Sequence, residues 1–292
     1  CPYTAPEPFY SMYGEQDVAP LIPPGQGKAA YMELIRRYRQ LDDSAALRKI
    51  QALYMGMVSF TDRLLGRVMD ALDEAGQRQE TVLIASSDHG DYAGDYGLVE
   101  KWPSGMEDVL THVPLIIRAP GGAAGHRVQE PVEMFDIMAT CLDHAGLTAP
   151  YTYYARSLMP QVMGAPGDPE RAVFCEGGYD PREPHCSEGT LRPSTRHLLE
   201  PSFIYYPKCI QQQEHPESVC RSVMMRTARY KLVRRSLAPN EFYDLREDPD
   251  ELVNRYNDPK LQAQIRAMES RMLDWYLTTS DIVPTEENSR GL

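Results

Sequence analysis

Asp88 and His89 stand side by side, directly after the small or apolar run TVLIASS at 81–87 and directly before Gly90. A carboxylate is a hard oxygen donor and a neutral imidazole a nitrogen donor, so the pair has the chemistry of a divalent-cation site. Lys101 follows in the same polar stretch. His112 comes next, immediately before a second apolar run, VPLIIR at 113–118, and is a candidate substrate contact. Each residue also has a plain structural reading. Asp88-His89-Gly90 could be an Asx turn leaving a strand, Lys101 a solvated lysine and His112 a structural histidine. Asp91 and Asp95 read as carboxylates that shape the loop.

The elements around these residues explain how they could be brought together. The run at 81–87 reads as a fully buried parallel strand, and ligands of open α/β sheets collect at the carboxyl ends of such strands. Before it, 29–40 suggests a short amphipathic helix. A longer one is expected over 44–74, where Leu47, Ile50, Leu53, Met57, Leu64, Val68 and Leu72 recur at helical spacing. After it come a strand at 113–118 and a helix over 132–144, so strand, loop and helix alternate as in a doubly wound sheet. Residues 147–220 hold few regular patterns apart from a strand at 171–176. The end of the chain changes character. A hairpin is expected over 222–235, turning at Ala228-Arg229 with one wet face, then a strand at 241–245, a helix-start signal at Asp248 and an amphipathic helix over 260–277. The fold class is therefore α/β, a mostly parallel doubly wound sheet with a smaller C-terminal antiparallel α+β subdomain. The expected division is 1–220 and 221–292.

A net charge of −12 over 292 residues argues against nucleic-acid binding, and no run is long and apolar enough to span a membrane. The charge is uneven. Residues 178–235 carry ten Lys/Arg against six Asp/Glu, with three His. Such a segment can face an anionic substrate or form a solvated strand face. Within it Arg182 and His185 lie in a turn-rich stretch and are candidate substrate-binding residues. The six cysteines fit neither a metal-binding spacing nor a small disulfide scaffold, so buried thiols are expected.

Four segments together resemble the type I sulfatases of the alkaline phosphatase superfamily. They are the opening CPYTAPEPFYSMY, the block SDHGDYAGDYGLVEK, the strand VPLIIRAPG, and the C-terminal RTARYKL with EFYDLREDPDELVN. The resemblance covers nearly the whole chain and corresponds to the C-terminal two-thirds of a sulfatase. It implies that Asp88 and His89 bind a divalent metal and that Lys101 is catalytic, contacting the sulfate group. Calcium is favoured by family, and the imidazole leaves Mn²⁺ or Zn²⁺ open. In one departure, Tyr96 stands where the family block carries histidine, which bears on substrate contacts.

The same resemblance exposes what is missing. The family nucleophile is a formylglycine made within a C/S-x-P/A-x-R motif, and none of the six cysteines lies in one. The expectation is an incomplete site, with nucleophile and remaining ligands supplied by an N-terminal part of the same protein. The implied activity is removal of sulfate from an anionic carbohydrate such as a glycosaminoglycan, in a periplasmic or secreted protein. Alternatives are phosphonate or phosphate ester hydrolysis within the superfamily, or a non-catalytic relative.

Overall fold

The structure, a computed structural model, describes residues 2–183 and 196–285. Helix α1 (Tyr31–Arg39) ends on Gln40 in the left-handed region, whose N–H reaches back to the Arg36 and Arg37 carbonyls. Helix α2 (Ser44–Glu74) starts where its apolar spacing starts, because the Asp43 carboxylate accepts from the Ala45 and Ala46 N–H groups. Strand β1 (Leu83–Ser86) follows, then the polar loop at 87–114 with one short helix, α3 (Asp108–Thr111), and strand β2 (Leu115–Arg118). Next come α4 (Asp136–His144), α5 (Met159–Val162), β3 (Val173–Gly177) and α6 (Tyr206–Glu214). The chain closes with β4 (Ser222–Arg226), β5 (Tyr230–Arg235), β6 (Glu241–Asp244) and α7 (Gln262–Thr279).

The alternation of helix and strand followed by a C-terminal antiparallel sheet is the arrangement read from the sequence. The strand pairing is not. β1 pairs antiparallel with β2, Leu83 opposite Arg118 and Ser86 opposite Leu115, and the second sheet runs β3-β4-β5-β6, antiparallel throughout. A parallel partner needs a helical crossover. The connection at 87–114 contains only a 3-10 turn at Asp95–Gly97 and the single turn of α3, too little helix for a crossover, so the chain comes back antiparallel. Nor is β1 fully buried: its residues are half-buried and Ser86 is exposed, while Ile116 of β2 is 60% exposed.

The hairpin differs from expectation in a way that matters for the site. Its turn lies at 227–229 as read, but the face expected to be wet is covered, with Lys231 and Arg235 both buried. One side of the sheet packs on α7 through Met225, Leu232, Phe242, Ile265, Met268 and Met272. The other side faces the polar loop, Met224 and Val233 against Met106. The basic character of this segment is thereby explained. Arg226 and Lys231 pair with Asp108, Lys231 also with Glu251, Arg235 with Glu241 and Arg229 with Asp244. No helix begins at Asp248. Its carboxylate instead accepts from the Leu252 and Val253 N–H groups and closes a turn.

A third core lies beneath the polar loop, where Tyr92, Tyr96, Leu98, Trp102 and Leu110 pack on Tyr31, Met32 and Ile35 of α1. Glu107 is buried in the middle of it. It accepts from Tyr31 Oη at 2.9 Å and Tyr92 Oη at 2.7 Å, with Lys28 Nζ at 3.5 Å. Burial alone would raise the Glu107 pKa, but the Lys28 and Arg235 charges and the Tyr92 hydroxyl outweigh it and push it down to about 2. A carboxyl depressed in the folded state contributes stability above its unfolded value of 4.5. That stability disappears as pH falls through about 2. Unfolding free energy is therefore expected to drop by about 3 kcal/mol from this group alone between those pH values. Urea titrations across the window check it. Glu107→Gln is expected to flatten the fall, and equal slopes for the two proteins would contradict the assignment.

Candidate metal and anion site

The loop at 87–114 holds a shape that its sequence does not favour. Ala93, Tyr96 and Glu100 all have positive φ, a strained conformation for residues with a Cβ. Each is tied in place. Ala93 N–H donates to Asp91 Oδ1 at 2.8 Å, Tyr96 N–H to the Ile22 carbonyl at 2.7 Å, and Glu100 N–H to Tyr3 Oη at 2.7 Å. Asp91 also accepts from the Tyr3 hydroxyl at 2.7 Å, and Asp95 Oδ1 from Ile22 N–H at 2.8 Å. Both aspartates shape the loop, as their spacing suggested. Tyr96 is buried in the core beneath it, its hydroxyl donating to the Asp250 carbonyl at 2.8 Å. It ties the loop to the C-terminal region and stands away from the exposed pair at Asp88-His89.

Gly90 is required by a close approach. A Cβ there would lie 1.9 Å from the Val109 carbonyl oxygen, because Gly90 N–H donates to the Leu110 carbonyl at 2.8 Å. That contact pins the end of β1 to α3 and fixes the direction in which Asp88 and His89 leave the strand.

Asp88 is widely exposed and His89 roughly half so, with Asp88 Oδ2 3.6 Å from His89 Nε2. The His89 backbone N–H, donating at 2.9 Å, and then the imidazole hold the Asp88 carboxyl below the usual carboxylate range. His89 Nδ1 lies 2.8 Å from the Gly90 carbonyl oxygen. A carbonyl only accepts, so Nδ1 carries a proton, and in the neutral ring the Nε2 lone pair is the one left open beside the carboxylate. One carboxylate oxygen and one imidazole nitrogen are thus open side by side. This donor set fits a divalent cation, and the second-sphere hydrogen bond fixes the tautomer. Among the described residues no third His, Cys, Asp or Glu completes a ligand cluster.

A cleft of about 1090 Å³ opens between β2 and the edge strand β3, and Asp88, His89, Lys101 and His112 all line it. Lys101 is half-buried and makes no hydrogen bond or ion pair among the described residues. His112, at the end of α3, is exposed. The structure therefore brings four of the sequence candidates to one cavity. Arg182 does not line that cavity. It lies on an exposed turn, paired with Asp180 at 2.5 Å. His185 falls outside the described residues. The sequence reading passed over Lys208 and Arg226, which also line the cleft. Lys208 sits on α6, a helix whose run of three glutamines, Gln211 to Gln213, conceals it from apolar periodicity. Arg226 looked like one more exposed cation of a hairpin. Cys141, Cys175 and Cys220 are free thiols.

Comparison with known proteins converges on one family. The Sulfatase family model matches residues 6–147, and that of the N-sulphoglucosamine sulphohydrolase C-terminal region matches 200–277. The multifunctional alkaline phosphatase superfamily protein PehA of Trinickia caryophylli is 28% identical over 99% of the chain and 55% of its own length. Human arylsulfatase K is 30% identical over 71% of the chain and 34% of its own length. The solved structure of a phosphonate monoester hydrolase from Silicibacter pomeroyi superposes with a TM-score of 0.75 at 28% identity, covering 95% of this chain and 54% of that one. The chain spans about half the length of PehA and of the superposed hydrolase, and a third of arylsulfatase K.

Proposed function

The chain belongs to the sulfatase family of the alkaline phosphatase superfamily, and on that footing we propose that it forms the metal- and lysine-bearing side of a sulfuric ester hydrolase site. The observation that carries the reading is the joint opening of Asp88, His89 and Lys101, each with free donor capacity, onto one cleft. The substrate class is an anionic sulfated carbohydrate such as a glycosaminoglycan.

Asp88 and His89 would hold one divalent metal. Calcium is favoured by family, and the imidazole leaves Mn²⁺ or Zn²⁺ open. When bound, such an ion supplies positive charge against the sulfuryl oxygens and favours the ionised form of a hydroxyl nucleophile. Gly90, through its carbonyl, keeps the His89 proton on Nδ1. The Lys101 ammonium donates to the oxygens that gain charge as the S–O bond of the ester breaks. The nucleophile, formylglycine in this family, belongs to an N-terminal part of the protein. An uncovered apolar surface supports this. Val58, Leu64 and Val68 of α2 and Ile116 of β2 are all exposed, and α2 buries no residue beyond Gly56. A two-stranded sheet is marginal without further strands and a covering layer.

A second reading, phosphonate or phosphate ester hydrolysis, draws support from the phosphonate monoester hydrolase and PehA, which match 95% and 99% of the chain. Phosphoryl and sulfuryl oxygens make the same demand on a metal and a lysine. A periplasmic or secreted location goes with the sulfatase reading. Among the described residues no helix is long and apolar enough to cross a membrane.

Parallel assays of an aryl sulfate and an aryl phosphonate, using protein that includes the N-terminal part and with Ca²⁺ or Mn²⁺ supplied, separate these readings. The sulfate is expected to give the higher kcat/KM. The reverse order would assign a phosphonate hydrolase, and turnover of neither would assign a non-catalytic relative.

A further inference from the structure

Arg226 stands at the end of β4 on the cleft wall, and its side chain is held from one side only. Nε donates to Asp108 Oδ1 and Oδ2 at 3.2 and 3.1 Å, and Nη2 to Oδ2 at 3.0 Å. Nη1 donates to nothing among the described residues, yet is not a buried orphan, so it meets solvent. The carboxylate that holds it is held in turn. Lys231 Nζ, wholly buried, donates to Asp108 Oδ1 at 2.8 Å and to Glu251 Oε1 at 2.9 Å, and Glu251 Oε1 also accepts the Asp108 N–H at 2.7 Å. The guanidinium is thus oriented by a buried chain of charges, as in preorganised anion sites, where a planar fork loses little entropy on binding. Asp108 is shared between Arg226 and Lys231, and Glu251 balances the second cation, so the free feature of Arg226 is the open donor Nη1 rather than an excess of charge.

Two other carboxylates of the cleft wall are engaged elsewhere. Glu133 is occupied by Arg171 at 3.1 Å and by the Phe174 N–H at 2.9 Å, and Glu176 accepts from the Tyr276 hydroxyl at 2.9 Å. The reacting group belongs with Lys101 and the Asp88-His89 pair. A second oriented cation in the same cavity has a different task.

We infer that Arg226 is a specificity-determining residue that receives a second acidic group of the substrate, a carboxylate or further sulfate carried beside the scissile ester. The inference rests on the hydrolase reading above. An aryl monosulfate carries no second acidic group for Arg226 to receive, whereas an acidic oligosaccharide does.

The test compares Arg226→Gln, Arg226→Lys and the parent protein on two substrates, an aryl monosulfate and a sulfated disaccharide bearing a uronic carboxylate. A hydrogen bond to a charged group contributes about 1.5–3 kcal/mol, roughly 10- to 150-fold. Arg226→Gln is therefore expected to lower kcat/KM for the disaccharide at least tenfold more than for the aryl ester, mainly through KM, with Arg226→Lys recovering part of the difference. An unchanged ratio between the two substrates would overturn the inference and leave Arg226 a purely structural ion pair. Calorimetry with the desulfated, carboxylate-bearing disaccharide keeps the two hypotheses apart. If the parent turns over neither substrate, the hydrolase reading falls. Weaker binding of the disaccharide by Arg226→Gln still supports the acid-binding role, and equal binding removes it.

Discussion

Replacing Lys101 with alanine is expected to lower kcat/KM toward an aryl ester by about 100- to 1000-fold, the usual effect of removing one preorganised donor from a developing oxyanion. The effect should appear in kcat, because charge grows on the ester oxygens only as the bond breaks. Asp88→Ala is expected to lose most turnover as well. Its carboxylate is one of two donors that the described residues offer to the cation. Neither change should shift the urea midpoint of unfolding appreciably, because both side chains lack stabilising partners in the core. The conformation of the loop rests on Tyr3, Asp91, Tyr96 and Trp102 instead. Full activity in both variants would refute the site. Equal loss of activity and of stability would point to a structural role.

The largest stability effect is expected at Lys231. This lysine is entirely buried, between Asp108 and Glu251. Burial opposes its charge, but the two carboxylates outweigh that and raise its pKa above the ordinary value of 10.5. Lys231→Ala leaves the buried Glu251 without its cation and Asp108 with Arg226 alone, a defect that costs about 3–5 kcal/mol. Arg234→Ala on the same strand is the matched control. Its pair with Glu269 is largely solvated and contributes at most about 1 kcal/mol. Urea unfolding of both variants checks the contrast. Similar small losses would mean that the buried chain of charges does not hold the loop to the C-terminal sheet.

How much of this was legible in the sequence depended on the kind of signal. Helix α2 was found to the residue, because Asp43 caps it and its apolar residues keep helical spacing for eight turns. Strands β1, β2 and β4–β6 were found from apolar runs and alternation. Their relations were not, since pairing direction depends on what the connection contains, and apolar content does not encode it. Asp88, His89 and Lys101 were singled out because they sit at or near a strand end, in a stretch whose pattern resembles the family's, and the structure places all three on one cleft. Lys231 and Arg226 were missed for a different reason. Alternation identifies two faces of a hairpin but not what covers them, and here the covering layer is a loop 120 residues earlier in the chain. Glu107 likewise gives no local sign of burial, because its partners Lys28, Tyr31 and Arg235 lie far from it in sequence.

The central claim is that Asp88 and His89 hold a metal at the mouth of the cleft. The most direct measurement is a crystal structure of the protein with its N-terminal part, soaked separately in Ca²⁺ and Mn²⁺ and read by anomalous scattering. The expected result is one ion with an Asp88 carboxylate oxygen at about 2.3–2.6 Å for calcium, His89 Nε2 adjacent, and Lys101 across the cleft. An ion bound elsewhere, with Asp88 and His89 still solvated, would contradict the claim.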